Sequence, residues 1–208
     1  NEKQTPFITK LDLELDTIEK GGYDHFMLKE IFEQPKTILD CLRGRLNAEK
    51  GTIQVSGIEN YLEEISRANR IIIIACGTSW HAGLVAEYII EDTCRIPVEV
   101  EYAAEFRYRN PIIHEGDMII AISQSGETAD TIVAIEKAKE QGAIIMGIVN
   151  VVGSSIARIS QTGAYTHSGP EIGVASTKAF TGQLAALMLV AFKIAHHRNT
   201  ITEERYRE

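Results

Sequence analysis

Four consecutive isoleucines, Ile71 to Ile74 in the stretch RIIIIACG, constrain this chain more than any other feature. A short β-branched run closed by a glycine marks a strand buried on both faces, and such strands belong to parallel sheets covered by helices on either side. The pattern then alternates. After strand Ile71–Ala75 the sequence predicts a helix over Ser79–Asp92, strand Val98–Tyr102, a short helix over Ala103–Tyr108 and strand Met118–Ile122. A helix over Thr128–Gln141, strand Ile144–Val149, a brief helix over Ser154–Ser160, a short strand near Ala164–His167 and a long helix from about Ser176 to His196 complete the series. Alternating strands and helices mean βαβ units. The expected fold class is therefore α/β: a three-layer α/β/α sandwich around a doubly wound parallel sheet of about five strands.

Upstream of the isoleucines the chain is helical in character. YDHFMLKEIFEQP predicts a short helix stopped before Pro35, KTILDCLRGRL a second, and ENYLEEISRA a further amphipathic one. Residues 25–68 thus form an N-terminal helical extension to an α/β core over about 70–198, and residues 1–24, ending in Gly21-Gly22, read as a polar linker or arm. With 208 residues, 44% of them hydrophobic, residues 25–208 suit one domain of ordinary size. Thr200 and Glu203 have the spacing of a capping box, which predicts a helix starting near the last residues. Together with a first residue that is Asn1 rather than methionine, this leads to the expectation of a segment from a longer protein.

Several function classes fall away. A formal charge of −8 with no basic cluster lacks the electrostatic footprint of a nucleic-acid binder. No uninterrupted apolar run approaches the roughly 18 residues that span a bilayer, and the charged start lacks the apolar region of a signal peptide. The expectation is a soluble, cytoplasmic chain with neither nucleic acid nor membrane as a partner. Cys41, Cys76 and Cys94 are odd in number and have no CxxC spacing, so neither a disulfide framework nor a zinc site is expected. His114, His196 and His197 lack partners at metal-ligand spacing. No metal and no cofactor are predicted.

In an open parallel sheet, ligands collect beyond the carboxyl ends of the strands, where neighbouring connections leave toward opposite faces. Three polar loops fall at such strand ends or helix starts: Cys76, Gly77, Thr78 and Ser79; Ser123 to Thr128; and Gly173 to Thr177. Each sets small hydroxylated residues and glycine at the start of a helix. Helix N-termini carry unpaired N–H groups and about half a positive charge, glycine admits close approach, and hydroxyls donate. The natural guest is a phosphate. Ser and Thr are also ordinary helix caps, so a single such loop would be explained by capping alone. The chain has no GxxxxGK[ST] and no GxGxxG after a strand, which excludes a P-loop and a dinucleotide fingerprint.

The blocks CGTS, SQSGETADT and EIGVASTKAFT resemble the sugar isomerase (SIS) fold, and specifically the isomerase portion of the glutamine–fructose-6-phosphate aminotransferases. YDHFMLKEIFEQP and AAEFRYRNP are similar to the same family, so the resemblance runs from about Tyr23 to the end. It implies that Ser123, Gln124, Ser125 and Thr128 hold the phosphate of a hexose 6-phosphate. It implies further that Thr78 is an additional phosphate ligand, with Cys76, Gly77 and Ser79 lining the sugar, and that Val174, Ala175 and Ser176 close against the sugar hydroxyls. Family enzymes pair a glutaminase domain with two SIS domains, and this chain matches only the first SIS domain. The Lys, Glu and His groups of imine formation and proton transfer match no position here, so no catalytic residue is assigned. The resemblance implies a binding half-site, inactive alone, whose partners are the glutaminase and second SIS domains; self-association as a homodimer is expected because a lone SIS domain exposes the apolar surface its tandem partner would cover. The alternative is a regulatory sugar-phosphate sensor; that reading needs a basic N-terminal module, which residues 1–70 lack.

Four further residues are weighed on their chemistry. Cys76, at a strand end before a helix, suits a thiolate, but with no base beside it in the motif it reads as a ligand-lining thiol. Glu127 would repel a phosphate and is expected to face away and stabilise a helix N-terminus. Lys178 either pairs with phosphate or points to solvent, and His81 reads as a packing or surface residue.

Overall fold

The computed structural model of the chain describes residues 19–208. Most of the arm expected over residues 1–24 therefore lies outside the described residues. The first helix, α1, runs over Phe26–Leu42 with Pro35 inside it, where the sequence predicts two helices broken at that proline. Proline removes the amide that would bond the carbonyl four residues back. Here that carbonyl, on Ile31, accepts from Nε2 of Gln34 at 2.9 Å instead. With the orphaned acceptor satisfied and one side packed on the long C-terminal helix, α1 continues through the proline.

A small antiparallel hairpin follows, β1 (Leu46–Asn47) with β2 (Thr52–Ile53), which pattern reading misses because each strand has two residues. The helix expected over Glu59–Ala68 is a 3₁₀ turn at Glu59–Tyr61 and a five-residue α2, Leu62–Ser66. Five parallel strands then build the main sheet: β3 (Arg70–Ala75), β4 (Val98–Tyr102), β5 (Asp117–Ser123), β6 (Ile144–Val149) and β7 (Thr162–Tyr165), in the order β4-β3-β5-β6-β7. The connecting helices are α3 (Gly77–Cys94), α4 (Ala103–Tyr108), α5 (Ala129–Glu140) and α6 (Ser155–Ile159), followed by α7 (Lys178–His197) and α8 (Glu203–Arg207).

The isoleucine run explains the layering. Side chains alternate across a strand, so Ile71 and Ile73 enter one core with Ala82, Ala86 and Ile90 of α3 and Leu187, Val190 and Ile194 of α7. Ile72 and Ile74 enter the other, with Phe106 of α4, Ala134 and Ile135 of α5 and Ile156 of α6. In register, Ile72 faces Ile119 and Ile119 faces Ile145, so the central strands are apolar on both sides. Ile71, Ile73 and Ile74 are fully buried, each worth on the order of 1.5–3 kcal/mol. The result is the expected three-layer α/β/α sandwich. The chain moves from β3 outward to β4 and returns past β3 to β5, so the helices after β3 and β5 leave on opposite faces. The switch point lies between those two strands.

Most helix and strand ends differ from the sequence expectation by a residue or two, and three of the differences have a clear local cause. β7 begins at Thr162 rather than near Ala164, because Thr162 and Gly163 pair with Met146 and Gly147 without an apolar run to announce them. α7 begins at Lys178, since Ser176 and Thr177 are drawn into the preceding loop. The cap of α8 is Thr202, whose hydroxyl accepts from the Arg205 amide, and not Thr200, whose hydroxyl donates to the carbonyls of Thr93 and Ala195.

At the outer edge of β7, Gly57 closes the sheet: its carbonyl accepts from the Gly163 amide at 3.3 Å and from the Thr162 hydroxyl at 2.7 Å. A Cβ on Gly57 would lie 2.0 Å from the Gly163 carbonyl oxygen, so only glycine permits this approach. At the opposite edge, β4 alternates Val98 and Val100 with Glu99 and Glu101, which pair with Arg70 and Arg109. α7 is long and apolar enough to cross a membrane by length and composition, despite Lys178, Gln183 and Lys193, which interrupt its apolar run. In this fold it is a core helix packed between α1 and α3.

Candidate functional site

Beyond the carboxyl ends of β3 and β5, at the switch point, lies a cleft of about 340 Å³. It is lined by Cys76, Gly77, Thr78 and Ser79 from the β3–α3 turn, and by Ser123, Gln124, Ser125 and Thr128 from the β5–α5 turn. Val174, Ala175 and Ser176 come from the loop before α7. All eleven sequence-predicted site residues thus line one cleft, together with Ile122, which sequence reading did not single out.

Each wall is shaped by local chemistry. The isoleucine strand ends at Ala75, Cys76 is the N-cap of α3, and Gly77 takes φ +58°, which lets the helix start at once. In the second wall the Gly126 amide donates to Ser123 Oγ at 3.0 Å and the Glu127 amide to Ser125 Oγ at 3.1 Å. Ser123 Oγ and Thr128 Oγ1 are 3.0 Å apart. Thr128 is the N-cap of α5, yet its side chain makes no capping hydrogen bond. Its hydroxyl is turned toward Ser123 and the cleft rather than spent on the helix end. α3 and α5 both begin at this cleft, and no lining residue carries a charge. An anion would be met by amide dipoles and hydroxyls alone.

Gln183 and Glu171 support the walls, and sequence reading missed both. Gln183, buried in α7, donates from Nε2 to Ser79 Oγ at 3.0 Å, which leaves the Ser79 hydroxyl proton available to the cleft. Glu171 accepts from Ser176 Oγ at 2.6 Å and from the Thr177 and Ala179 amides, and so caps α7 from outside the helix. No spacing rule points to either: the partner of Gln183 lies 104 residues away, and Glu171 caps α7 from seven residues before the helix starts, outside the usual capping positions.

The weighed residues fall into place. Glu127 turns away from the cleft and accepts from the Ser155 amide at 2.7 Å, so the helix end it stabilises is that of α6. Hydrogen bonding from Ser155 holds its carboxyl below the ordinary glutamate value. Lys178 meets neither alternative: it is buried, with Nζ 2.6 Å from Glu33 of α1. His81 stays exposed outside the cleft, its Nδ1 3.0 Å from the Gly77 carbonyl, and its ring meets Trp80 edge-on. Cys76 is a free, half-buried thiol in the lining. Among the described residues no three His, Cys, Asp or Glu side chains gather as a metal site.

This geometry agrees with what the chain is similar to. Residues 64–193 match the SIS domain family. The chain belongs to that family. Among its relatives, glutamine–fructose-6-phosphate aminotransferase [isomerizing] of Bacteroides thetaiotaomicron is 59% identical over 206 residues, covering 99% of this chain and 34% of the relative. The rat enzyme of the same name, form 1, is 44% identical over 198 residues, covering 95% of this chain and 29% of its own. A solved structure described as the C-terminal domain of glucosamine-fructose-6-phosphate aminotransferase from Francisella tularensis superposes with a TM-score of 0.85. It is 42% identical, over 91% of this chain and 52% of that one. This SIS chain thus spans about a third of the length of the curated relatives it matches.

Proposed function

We propose that the cleft binds a hexose 6-phosphate, fructose 6-phosphate or glucose 6-phosphate, as the sugar-phosphate-binding segment of an enzyme that makes glucosamine 6-phosphate from fructose 6-phosphate and glutamine. The observation that carries this reading is the convergence of three hydroxyl-bearing loops on one uncharged cleft at the sheet's switch point. Ser123, Gln124, Ser125 and Thr128, backed by the α5 amides, take the phosphate, with Thr78 as a further ligand. Cys76, Gly77, Ser79, Val174, Ala175 and Ser176 take the sugar. High identity to aminotransferases of that name supports the reaction, and the activity belongs to the longer enzyme. Ring opening, amination and isomerisation need groups outside this segment, in a glutaminase domain and a second SIS domain, so the isolated chain should bind without turnover. The setting is the cytoplasm, without metal or cofactor.

The test is calorimetric titration of the chain with fructose 6-phosphate. Ser125→Ala or Thr128→Ala should weaken binding by about 1–3 kcal/mol, the usual cost of a lost hydrogen bond to a charged group. Unchanged affinity in both variants would overturn the phosphate-loop assignment. The same reading includes self-association: Phe32 and Leu39 of α1 are 64% and 66% exposed, an apolar surface suited to a second copy. Sedimentation velocity should show a dimer, and a strict monomer at high concentration would count against it.

A further inference from the structure

The loop that supplies the third wall of the cleft is anchored at three points, and two of them lie on α1, more than a hundred residues away in sequence. Glu30 is buried, and its carboxylate accepts from the Ile172 amide at 2.6 Å and from the Gly173 amide at 3.1 Å. The approach is so close that a Cβ at position 173 would lie 2.5 Å from Glu30 Oε2 and 3.5 Å from the Met27 backbone. Glu33, one turn on, pairs with the buried Lys178 at the first position of α7. The third anchor, Glu171, holds Ser176 and Thr177 from within the loop. Between these anchors Val174 stands fully exposed at the tip, beside the cleft.

We infer that Glu30 is a positioning residue for the site: through two backbone amides its buried carboxylate fixes where Val174, Ala175 and Ser176 meet the ligand. The chemistry favours this over simple packing. A buried carboxylate is costly unless hydrogen-bonded, and the bonds it makes go to main-chain amides of the one loop that touches the cleft without belonging to the switch-point strands. The helical extension is then part of the binding apparatus, a strut from which the sugar end of the site is hung. The phosphate end stands on β5 and α5 and does not depend on it.

This inference rests on the proposed sugar-phosphate role, and its test separates the two. Amide hydrogen exchange on the ligand-free chain reads the strut directly. In Glu30→Ala, protection of the Ile172 and Gly173 amides should fall at least tenfold, while β3 and β5 keep theirs. Glu30→Gln, which retains an acceptor of the same shape, should restore most of it. In calorimetry, Glu30→Ala should weaken fructose 6-phosphate at least tenfold and leave inorganic phosphate within twofold, with Glu30→Gln again close to the parent. General destabilisation would move both ligands together and would spare neither strand, and that outcome overturns the inference. Unchanged exchange at residues 172 and 173, or unchanged fructose 6-phosphate affinity despite faster exchange, overturns it too. A parent chain that binds inorganic phosphate but gains nothing from the sugar would overturn the hexose reading instead, and the exchange arm would still decide whether Glu30 holds the loop.

Discussion

Alanine at position 126 is expected to cost the fold about 2–5 kcal/mol, the sum of left-handed backbone strain of about 1–2 and overpacking of about 1–3. Gly126 has φ +67°, a conformation an L-residue adopts only with strain, and it sits where the SQSGET turn folds back on itself. A Cβ there would lie 2.0 Å from Ser154 Oγ and 2.5 Å from Ser154 Cβ. Ser154 is buried as the N-cap of α6 and has little room to retreat. The double variant Gly126→Ala/Ser154→Gly removes the clash and should recover the steric share, leaving the backbone share. Urea unfolding measures both. Because the Gly126 amide also holds Ser123 Oγ, fructose 6-phosphate affinity should fall at least as far as in Ser125→Ala. Stability within about 0.5 kcal/mol of the parent, inside the usual range for a surface change, would refute the account of this turn.

The second large effect lies at the opposite end of the sheet. Asp117, 4% exposed at the start of β5, accepts from the Arg70 guanidinium and from the His114 amide, the latter at 2.9 Å. Removing one member of a buried ion pair costs about 3–5 kcal/mol. Arg70 keeps Glu99 and the Ile112 carbonyl and is partly exposed, so Asp117→Ala should fall near about 3 kcal/mol, the low end of that range. Burial is the largest single influence on this carboxyl and pushes its pKa up, but the Arg70 and His114 hydrogen bonds outweigh it and hold the group below the ordinary aspartate value. A depressed folded pKa gives stability that is complete above the unfolded value of about 3.9 and is lost as pH falls through the folded one. The gap between parent and variant in urea unfolding should therefore be full at neutral pH and shrink below about pH 4. A gap that stays constant into acid would show that the ion pair is not its source. Since Asp117 is remote from the cleft, ligand affinity of the folded variant should match the parent.

What the sequence made legible, and what it did not, follows from range. The isoleucine run, the glycines at strand ends and the hydroxyl-rich turns are local signals. They located β3, β4, α4 and β6 closely and pointed to eleven of the twelve lining residues, because a parallel sheet delivers every strand-to-helix turn to one end. Pro35 misled because its breaking effect is local while its remedy is a side chain: Gln34 takes the Ile31 carbonyl. Lys178 misled because its partner, Glu33, comes from a helix 145 residues earlier. Glu30, Glu171 and Gln183 gave no signal at all. Glu30 and Gln183 act only once α1 has met the loop before α7 and α7 has met α3, and Glu171 caps α7 from a loop position that no capping rule marks.

The two margins of the sheet bear on how the molecule behaves in a crowd. An unpaired strand edge is a template on which another chain can add, the first step of edge-to-edge aggregation. The Gly57 carbonyl occupies the Gly163 amide on the β7 side, and carboxylates interrupt the β4 side, so neither margin offers an open, uncharged row. Any side chain at position 57 would push the covering loop off β7 and bare that row. This small glycine contact, outside the cleft, therefore closes part of an edge on which another strand could otherwise add.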